Sequence, residues 1–191
     1  MLIVKDALSR GATRACYRHP NDPHKCVKIL FNPKKIHLIY KQLKNNEKLQ
    51  KHLAGFIPRC YGMTDTNLGK GLVAELVCND DGQISPNFAY WLQNNTLTSD
   101  IKAQFDAFFI RLLEQKLWFY DFNAGNFVIQ HINGKDKVVF IDTKSYNHNN
   151  SWSMLKLEYI IPVLAHRRMK RRILRFYNKH NLEIPEKLKG L

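Results

Sequence analysis

Asn133-Gly134 is the most restrictive dipeptide in the chain. It stands between two runs rich in β-formers, NFVIQHI and DKVVFI, inside the stretch FYDFNAGNFVIQHINGKDKVVFIDTK from Phe119 to Lys144. Asn-Gly between such runs is the strongest short-range signal for a hairpin with a two-residue loop. A loop of that length fixes the register, setting Asn126 opposite Ile141 and so beside Asp142. Asp121 precedes Asn126 in a short loop of small and polar residues that can curl back over the same end of the hairpin. An acid, an amide and a second acid thus converge. Hard oxygen donors of this kind suit Mg²⁺ carrying a phosphate, with one carboxylate left to receive a proton.

Upstream, the chain alternates short β-prone runs with breaks: LIVKDALSRGATRACYRH, NDPH, KCVKILF. Three antiparallel strands are expected. Gly11 falls in the first connection, either an ordinary turn or a place where backbone amides approach a phosphate. In KCVKILF, Lys28 alternates onto a face with Cys26 and Leu30. A lysine there marks a solvated edge strand or points into a cleft. Pro33 opens a helix over 34–53, with an apolar stripe at Ile36, Ile39, Tyr40 and Leu43 that Glu47 continues. A carboxylate on a buried stripe needs a partner. Lys28 is the natural one, the alternative being that Glu47 reaches water.

Two more strands, IPRCYGMTD and KGLVAELVC, lead to Asn79-Asp80-Asp81-Gly82, which breaks the pattern. The boundary expected there separates residues 1–78, a small nucleotide-binding lobe, from 79–191, a helical lobe with the catalytic loop and the hairpin. Thr98 or Ser99 caps a helix reaching Gln115, with Ile101, Phe105, Phe108, Phe109 and Leu112 facing the core. Apolar helices are expected around 155–165 and through HRRMKRRILRFYNKH. The second is strongly basic, as a solvated terminal helix or as a contact for an anionic membrane or acidic ligand.

With 191 residues and 45% hydrophobic content the chain can bury a core. No apolar run is long enough to span a bilayer, and MLIVKDALSR lacks a signal-peptide core. The expected location is cytoplasmic, with peripheral contact at the inner membrane. Cys16, Cys26, Cys60 and Cys78 show neither CxxC spacing nor a paired histidine motif, so reduced thiols are expected. The net charge of +14 attracts anions of every class and chooses none of them.

Asp-x₄-Asn alone is uninformative, since Asp142 to Asn147 is a second match. The order of the parts carries the weight: a glycine turn, a strand lysine, a helical glutamate, a hinge-like ELV, Asp121-x₄-Asn126 and a strand-end Asp142. That is the protein-kinase set. From about residue 2 to 165 the chain resembles a minimal kinase-like protein, and within that class the small bacterial PhoP-regulatory-network (YrbL-type) family. The resemblance implies an α+β, reduced protein-kinase-like fold, with a small antiparallel-sheet N-lobe holding one helix and a mainly helical C-lobe. It implies that Lys28 holds the α- and β-phosphates of ATP and that Glu47 orients it. Glu75 and Val77 would offer a backbone carbonyl and amide to adenine next to Ala74. Asp121 would act as base toward an acceptor hydroxyl, and Asn126 and Asp142 would coordinate Mg²⁺.

The departures are equally specific. Gly11 lacks companion glycines, Phe119-Tyr120 replaces His-Arg or His-Gly, and Thr143-Lys144 replaces Phe-Gly. No Ala-Pro-Glu element follows Asp142, and Asn123 stands where serine/threonine protein kinases carry lysine. These lean toward a small-molecule, sugar or lipid-linked acceptor over a protein. The resulting expectation is an ATP- and Mg²⁺-dependent phosphotransferase, with a pseudokinase serving as a regulatory binding module as its first rival. A basic nucleic-acid-binding protein is the second, disfavoured because the aromatics follow helix-core spacing and are not interleaved with the basic residues.

Overall fold

The structure, a computed structural model, describes residues 1–95, 97–119, 121–146 and 162–190. It divides into two compact units, Met1–Pro86 with Gln130–Lys135, and Asn87–Ile129 with Asp136–Leu191.

The first unit is built on a five-stranded sheet: β1 (Ala7–Arg10), β2 (Arg14–Arg18), β3 (Lys25–Leu30), β4 (Cys60–Thr66) and β5 (Gly69–Glu75), in the order β1-β2-β3-β5-β4. All neighbouring pairs are antiparallel. Strand alternation sorts the side chains into two faces. Ala15, Tyr17, Val27 and Ile29 pack with Val4, Leu2 and Ala7 into a core on one of them. Close approach on that face dictates Gly71: a Cβ there would lie 2.5 Å from Val27 Cγ1. The other face carries Cys16, Lys28 and Leu72 in one cross-strand row, and Cys26, Ala74 and Cys60 in the next.

Helix α1 (Ile36–Leu53) connects β3 to β4, entered through a 3-10 turn at Pro33–Lys35 that Asn32 caps. Its inward stripe is Ile39, Gln42, Asn46, Leu49 and Leu53. The expected stripe is therefore rotated, because Tyr40 is 48% exposed and Glu47 is exposed. Two inward positions are polar, a choice a stripe drawn from hydrophobicity alone passes over. Both are satisfied: Asn46 accepts from Cys60 N–H and donates to the Pro58 carbonyl, while Gln42 accepts from Arg14.

The second unit holds α2 (Phe88–Asn94), α3 (Ser99–Glu114), α4 (Pro162–Lys179) and α5 (Glu186–Gly190). Strands β6 (Phe127–Ile132) and β7 (Lys135–Phe140) form a hairpin whose base belongs to this unit, while Gln130–Lys135 belong to the first. Thr98 caps α3 by accepting from Ile101 N–H, as the sequence suggests. Helix α2, which no sequence signal announced, is fixed by Asn87 capping Tyr90 N–H and by burial of Phe88 and Trp91. The core is aromatic: Phe127 lies 4.8 Å from Phe140, 5.1 Å from Phe105 and 5.2 Å from Phe176, centroid to centroid. Gln104 clips α3 to β7, donating to the Asp136 carbonyl and accepting from Val138 N–H. Asn133 and Gly134 both take positive φ, 51° and 69°, the type I′ pattern expected of this turn.

A helix inserted between the third and fourth strands of a five-stranded antiparallel sheet, followed by a mainly helical unit with a two-stranded hairpin, is the reduced protein-kinase-like fold. Of the helix expected at 155–165, residues 155–161 lie outside the described residues, as does the Asn147 match. No helix among the described residues is long and apolar enough to cross a membrane.

Candidate functional site

In the first unit the sequence places Lys28 on β3, and the sheet order puts β3 in the middle, between β2 and β5. The edge-strand alternative therefore fails. Lys28 is half-buried between its cross-strand neighbours Cys16 and Leu72. One row along, Cys26 Sγ lies 3.8 Å from the Glu75 carbonyl, and Ala74 separates Cys26 from Cys60. The four cysteines are free thiols. Cys26 ionises low, at about 7: the Cys16 thiol donates to its sulfur, and Lys28 and Arg14 favour the anion against the opposing effect of burial. The same bond, with burial, pushes Cys16 up.

At the end of β5, Glu75 is tied on both sides of its own backbone to Arg59: its N–H donates to the Arg59 carbonyl, and its carboxylate accepts from Arg59 N–H. Val77 accepts from Ser85 N–H through its carbonyl. Gly11 is exposed in the β1–β2 turn, which its N–H closes onto the Arg14 carbonyl at 2.9 Å. A Cβ on Gly11 would meet that oxygen at an ordinary 3.6 Å, so the backbone conformation does not demand glycine there.

Glu47 is where the structure corrects the sequence reading. It is exposed, and among the described residues no ion pair joins it to Lys28. The polar inward positions of α1 are Gln42 and Asn46, which the apolar spacing does not single out. Gln42 accepts from Arg14 Nη1 at 2.6 Å. Neither Arg14 nor Gln42 belongs to the expected set; the signal for Arg14 was its alternation with Cys16 on β2.

In the second unit the backbone brings the stretches carrying Asp121, Asn126 and Asp142 to one end of the hairpin. Phe119 is fully buried against Phe140, and Phe122 packs on Phe109 at 5.1 Å. These rings anchor the loop on both sides of Asp121, whose own side is exposed. Asn123 then caps a 3-10 turn over Ala124–Asn126 by accepting from Gly125 N–H. The Asn126 carbonyl accepts from Ile141 N–H at 2.8 Å, the register that the two-residue loop requires, and Asp142 follows directly. Asn126 Nδ2 donates to the Asp121 carbonyl at 3.5 Å, so its remaining side-chain acceptor is Oδ1. Asp142 is buried at 7% exposure, and its carbonyl accepts from both the N–H and the hydroxyl of Ser145. A buried carboxylate on Asp142 and an amide oxygen on Asn126, on paired strand ends, are the oxygen donors that Mg²⁺ takes.

The family model for PhoP regulatory network protein YrbL matches residues 1–181, and the chain belongs to that family. Proteins described as uncharacterized protein YrbL from Escherichia coli (strain K12) and Shigella flexneri are each 29% identical over 105 residues, 52% of this chain and 50% of theirs. The chain thus spans about half the length of these curated relatives in the match. Among solved structures, WbdD bound to the kinase inhibitor LY294002 is similar with a TM-score of 0.47, 15% identity, and coverage of 82% of this chain and 36% of that one. A double mutant of the Mycobacterium tuberculosis PknI kinase domain gives 0.49, 14%, 74% and 57%.

Proposed function

We propose that the chain is an ATP- and Mg²⁺-dependent phosphotransferase acting on a hydroxyl of a small-molecule, sugar or lipid-linked acceptor. The observation that supports it most is the bond from Ile141 N–H to the Asn126 carbonyl, which sets buried Asp142 beside Asn126 while the ring-anchored loop turns Asp121 outward. In this reading Asn126 and Asp142 hold Mg²⁺, which neutralises phosphate charge. Lys28 binds the α- and β-phosphates, Gly11 lets the turn approach them, and the Glu75 carbonyl and Val77 N–H meet adenine. Asp121 receives the proton of the attacking hydroxyl. Catalysis of this kind rests on positioning and charge neutralisation.

With label on the γ-phosphate of ATP, Asp121→Asn should lower transfer by roughly 10²–10⁴-fold while nucleotide affinity stays at the wild-type value. Full turnover in that variant refutes the assignment. Asp142→Asn should remove the Mg²⁺-dependent part of nucleotide affinity, and superimposable titrations with and without the metal in wild type would count against the metal role.

A second reading has its own observation. Glu47 is exposed and unpaired with Lys28, as befits a nucleotide-binding module that transfers nothing. Incubation of the pure protein with labelled ATP and cell extract separates the two, since a binding module labels no acceptor.

The acceptor side of the proposal extends to anionic membrane surfaces and phosphorylated glycolipid precursors, which would place the protein at the inner face of the membrane. Arg167, Arg171 and Arg175 lie exposed along one side of α4, with exposed Val163 and Leu164 one turn before them.

A further inference from the structure

Two of the four cysteines meet. Cys16 on β2 lies directly across from Lys28 on β3, and Cys26, two residues before Lys28, is its diagonal neighbour on the same face of the sheet. The Cys16 thiol donates a hydrogen bond to the Cys26 sulfur. Cys16 is half-buried and Cys26 only 2% exposed, so a reagent reaching the inner sulfur has to be small. Lys28 and Arg14 favour the anion there, and Glu75 opposes it. Cys60, across Ala74 from Cys26, feels the same two cations, yet burial outweighs them and pushes its thiol up. Burial does the same to Cys78. What sets Cys26 apart from both is the hydrogen bond from Cys16.

A thiolate is the form of cysteine that attacks an electrophile, and a second thiol beside it is placed to resolve the product. The nucleotide reading gives neither sulfur a role. We propose that Cys26 and Cys16 form a modification site for hydroperoxides, Cys26 as the attacking sulfur and Cys16 as the resolving one. Cys26 attacks the terminal oxygen of the peroxide. The O–O bond breaks, its electron pair leaves on the alkoxide, which takes a proton from water, and Cys26 becomes a sulfenic acid. The Cys16 sulfur then attacks the Cys26 sulfur, and the hydroxyl leaves with the Cys16 proton as water. The two sulfurs together lose two electrons and the peroxide gains them; a dithiol reverses the change by exchange.

The disulfide would not leave the face as it is. Diagonal positions of an antiparallel pair stand about 7–8 Å apart, and a disulfide spans Cα atoms up to about 7 Å apart. Closing the bond therefore draws β2 along β3 and displaces Lys28, which Cys16 faces. A bond closed under such strain is readily reduced. The site stands without the nucleotide reading; its effect on ATP rests on that reading and deepens it.

The test uses the full reduced chain with hydrogen peroxide as the probe, each thiol being followed by timed alkylation and peptide mass. Cys16 and Cys26 should disappear together at pH 7, roughly tenfold faster than Cys60 or Cys78, because an ordinary thiol is only a few per cent ionised there. Their product should be one cross-linked peptide pair that dithiothreitol reopens. Cys16→Ser should stop Cys26 at a sulfenic acid that dimedone traps, and Cys26→Ser should leave Cys16 as slow as Cys60. Four thiols reacting at one rate, no reaction, or dimedone capture at Cys16 overturns the proposal and leaves two inert core thiols. Should either variant fail to fold, the wild-type rates and cross-link decide alone. ATP should bind the cross-linked chain roughly tenfold more weakly, the loss of one charge-assisted hydrogen bond, and recover on reduction. Equal ATP affinity in the two forms sinks the effect on Lys28 and spares the site. A reduced chain that cross-links but binds no ATP sinks the nucleotide reading, whereas one that binds ATP and never cross-links sinks the site alone.

Discussion

At the scale of single residues, Lys28 sets the chemistry of its face, and the thiols around it report on its charge. Cys26 is held at about 7, first by the hydrogen bond from Cys16 and then by Lys28 and Arg14, while burial works the other way. An acid that ionises lower in the folded chain than in the unfolded one stabilises the fold above the unfolded value, near 8.5 to 9 for a thiol. That contribution disappears as pH falls through about 7. The ultraviolet thiolate absorbance of the native protein should accordingly rise around pH 7, and Lys28→Met should move the rise toward the ordinary thiol range. Saturating ATP should move it the same way, because phosphates beside Lys28 offset the field with which it favours the thiolate. A rise indifferent to both Lys28→Met and ATP would remove Lys28 from this neighbourhood.

At the scale of elements, what was legible and what was not follows from how local each signal is. Asn133-Gly134 dictated its turn through backbone conformation alone, and with it the register that sets Asn126 against Ile141. Thr98 announced α3 through a cap three residues long. The face of α1 was misread because Gln42 and Asn46 are buried for their partners and not for their hydrophobicity. Those partners, Arg14, Pro58 and Cys60, are remote or lie beyond the helix. Helix α2 is too short to show a period. The basic stretch 166–180 offered two readings, and the structure shows one face of α4 deep in the core: Met169, Ile173, Phe176 and Tyr177 are buried. Tyr177 donates to Asp106 Oδ1 on α3 at 2.5 Å, and Lys102 pairs with the other oxygen. Tyr177→Phe should therefore cost about 1.5–3 kcal/mol, the range for a hydrogen bond to a charged group, read as a lower urea midpoint at unchanged slope. Burial, and then Asp106, push the Tyr177 phenol up. Its contribution is thus complete below the unfolded value near pH 10 and declines above it, a decline the Phe variant should lack. Unfolding curves that coincide for the two proteins would contradict the role given to this bond.

At the scale of the whole molecule, a net charge of +14 attracts any polyanion, and what selects among polyanions is where the charge is fixed. On α4 the buried stripe commits the helix to its unit, which leaves Arg167, Arg171 and Arg175 with their exposed sides aligned at four-residue spacing. Val163, 58% exposed, and Leu164 add an apolar end to the same helix. In the membrane-contact proposal it is this row of cations, and not the apolar face committed to the core, that would meet an anionic surface. Each arginine near such a surface contributes about 1 kcal/mol, and about 1.4 kcal/mol is a tenfold change in affinity. Replacing all three by Gln should then weaken binding to vesicles of phosphatidylcholine and phosphatidylserine by roughly a hundredfold. The fold should be untouched, since none of the three belongs to the core. Binding should also fall steeply as salt shortens the Debye length below about 10 Å. Co-sedimentation settles the matter: equal binding to purely zwitterionic vesicles, or wild-type binding by the triple variant, would show that the arginine row serves something other than a lipid surface. Loss confined to the anionic vesicles would show that the arginine row meets an anionic lipid surface.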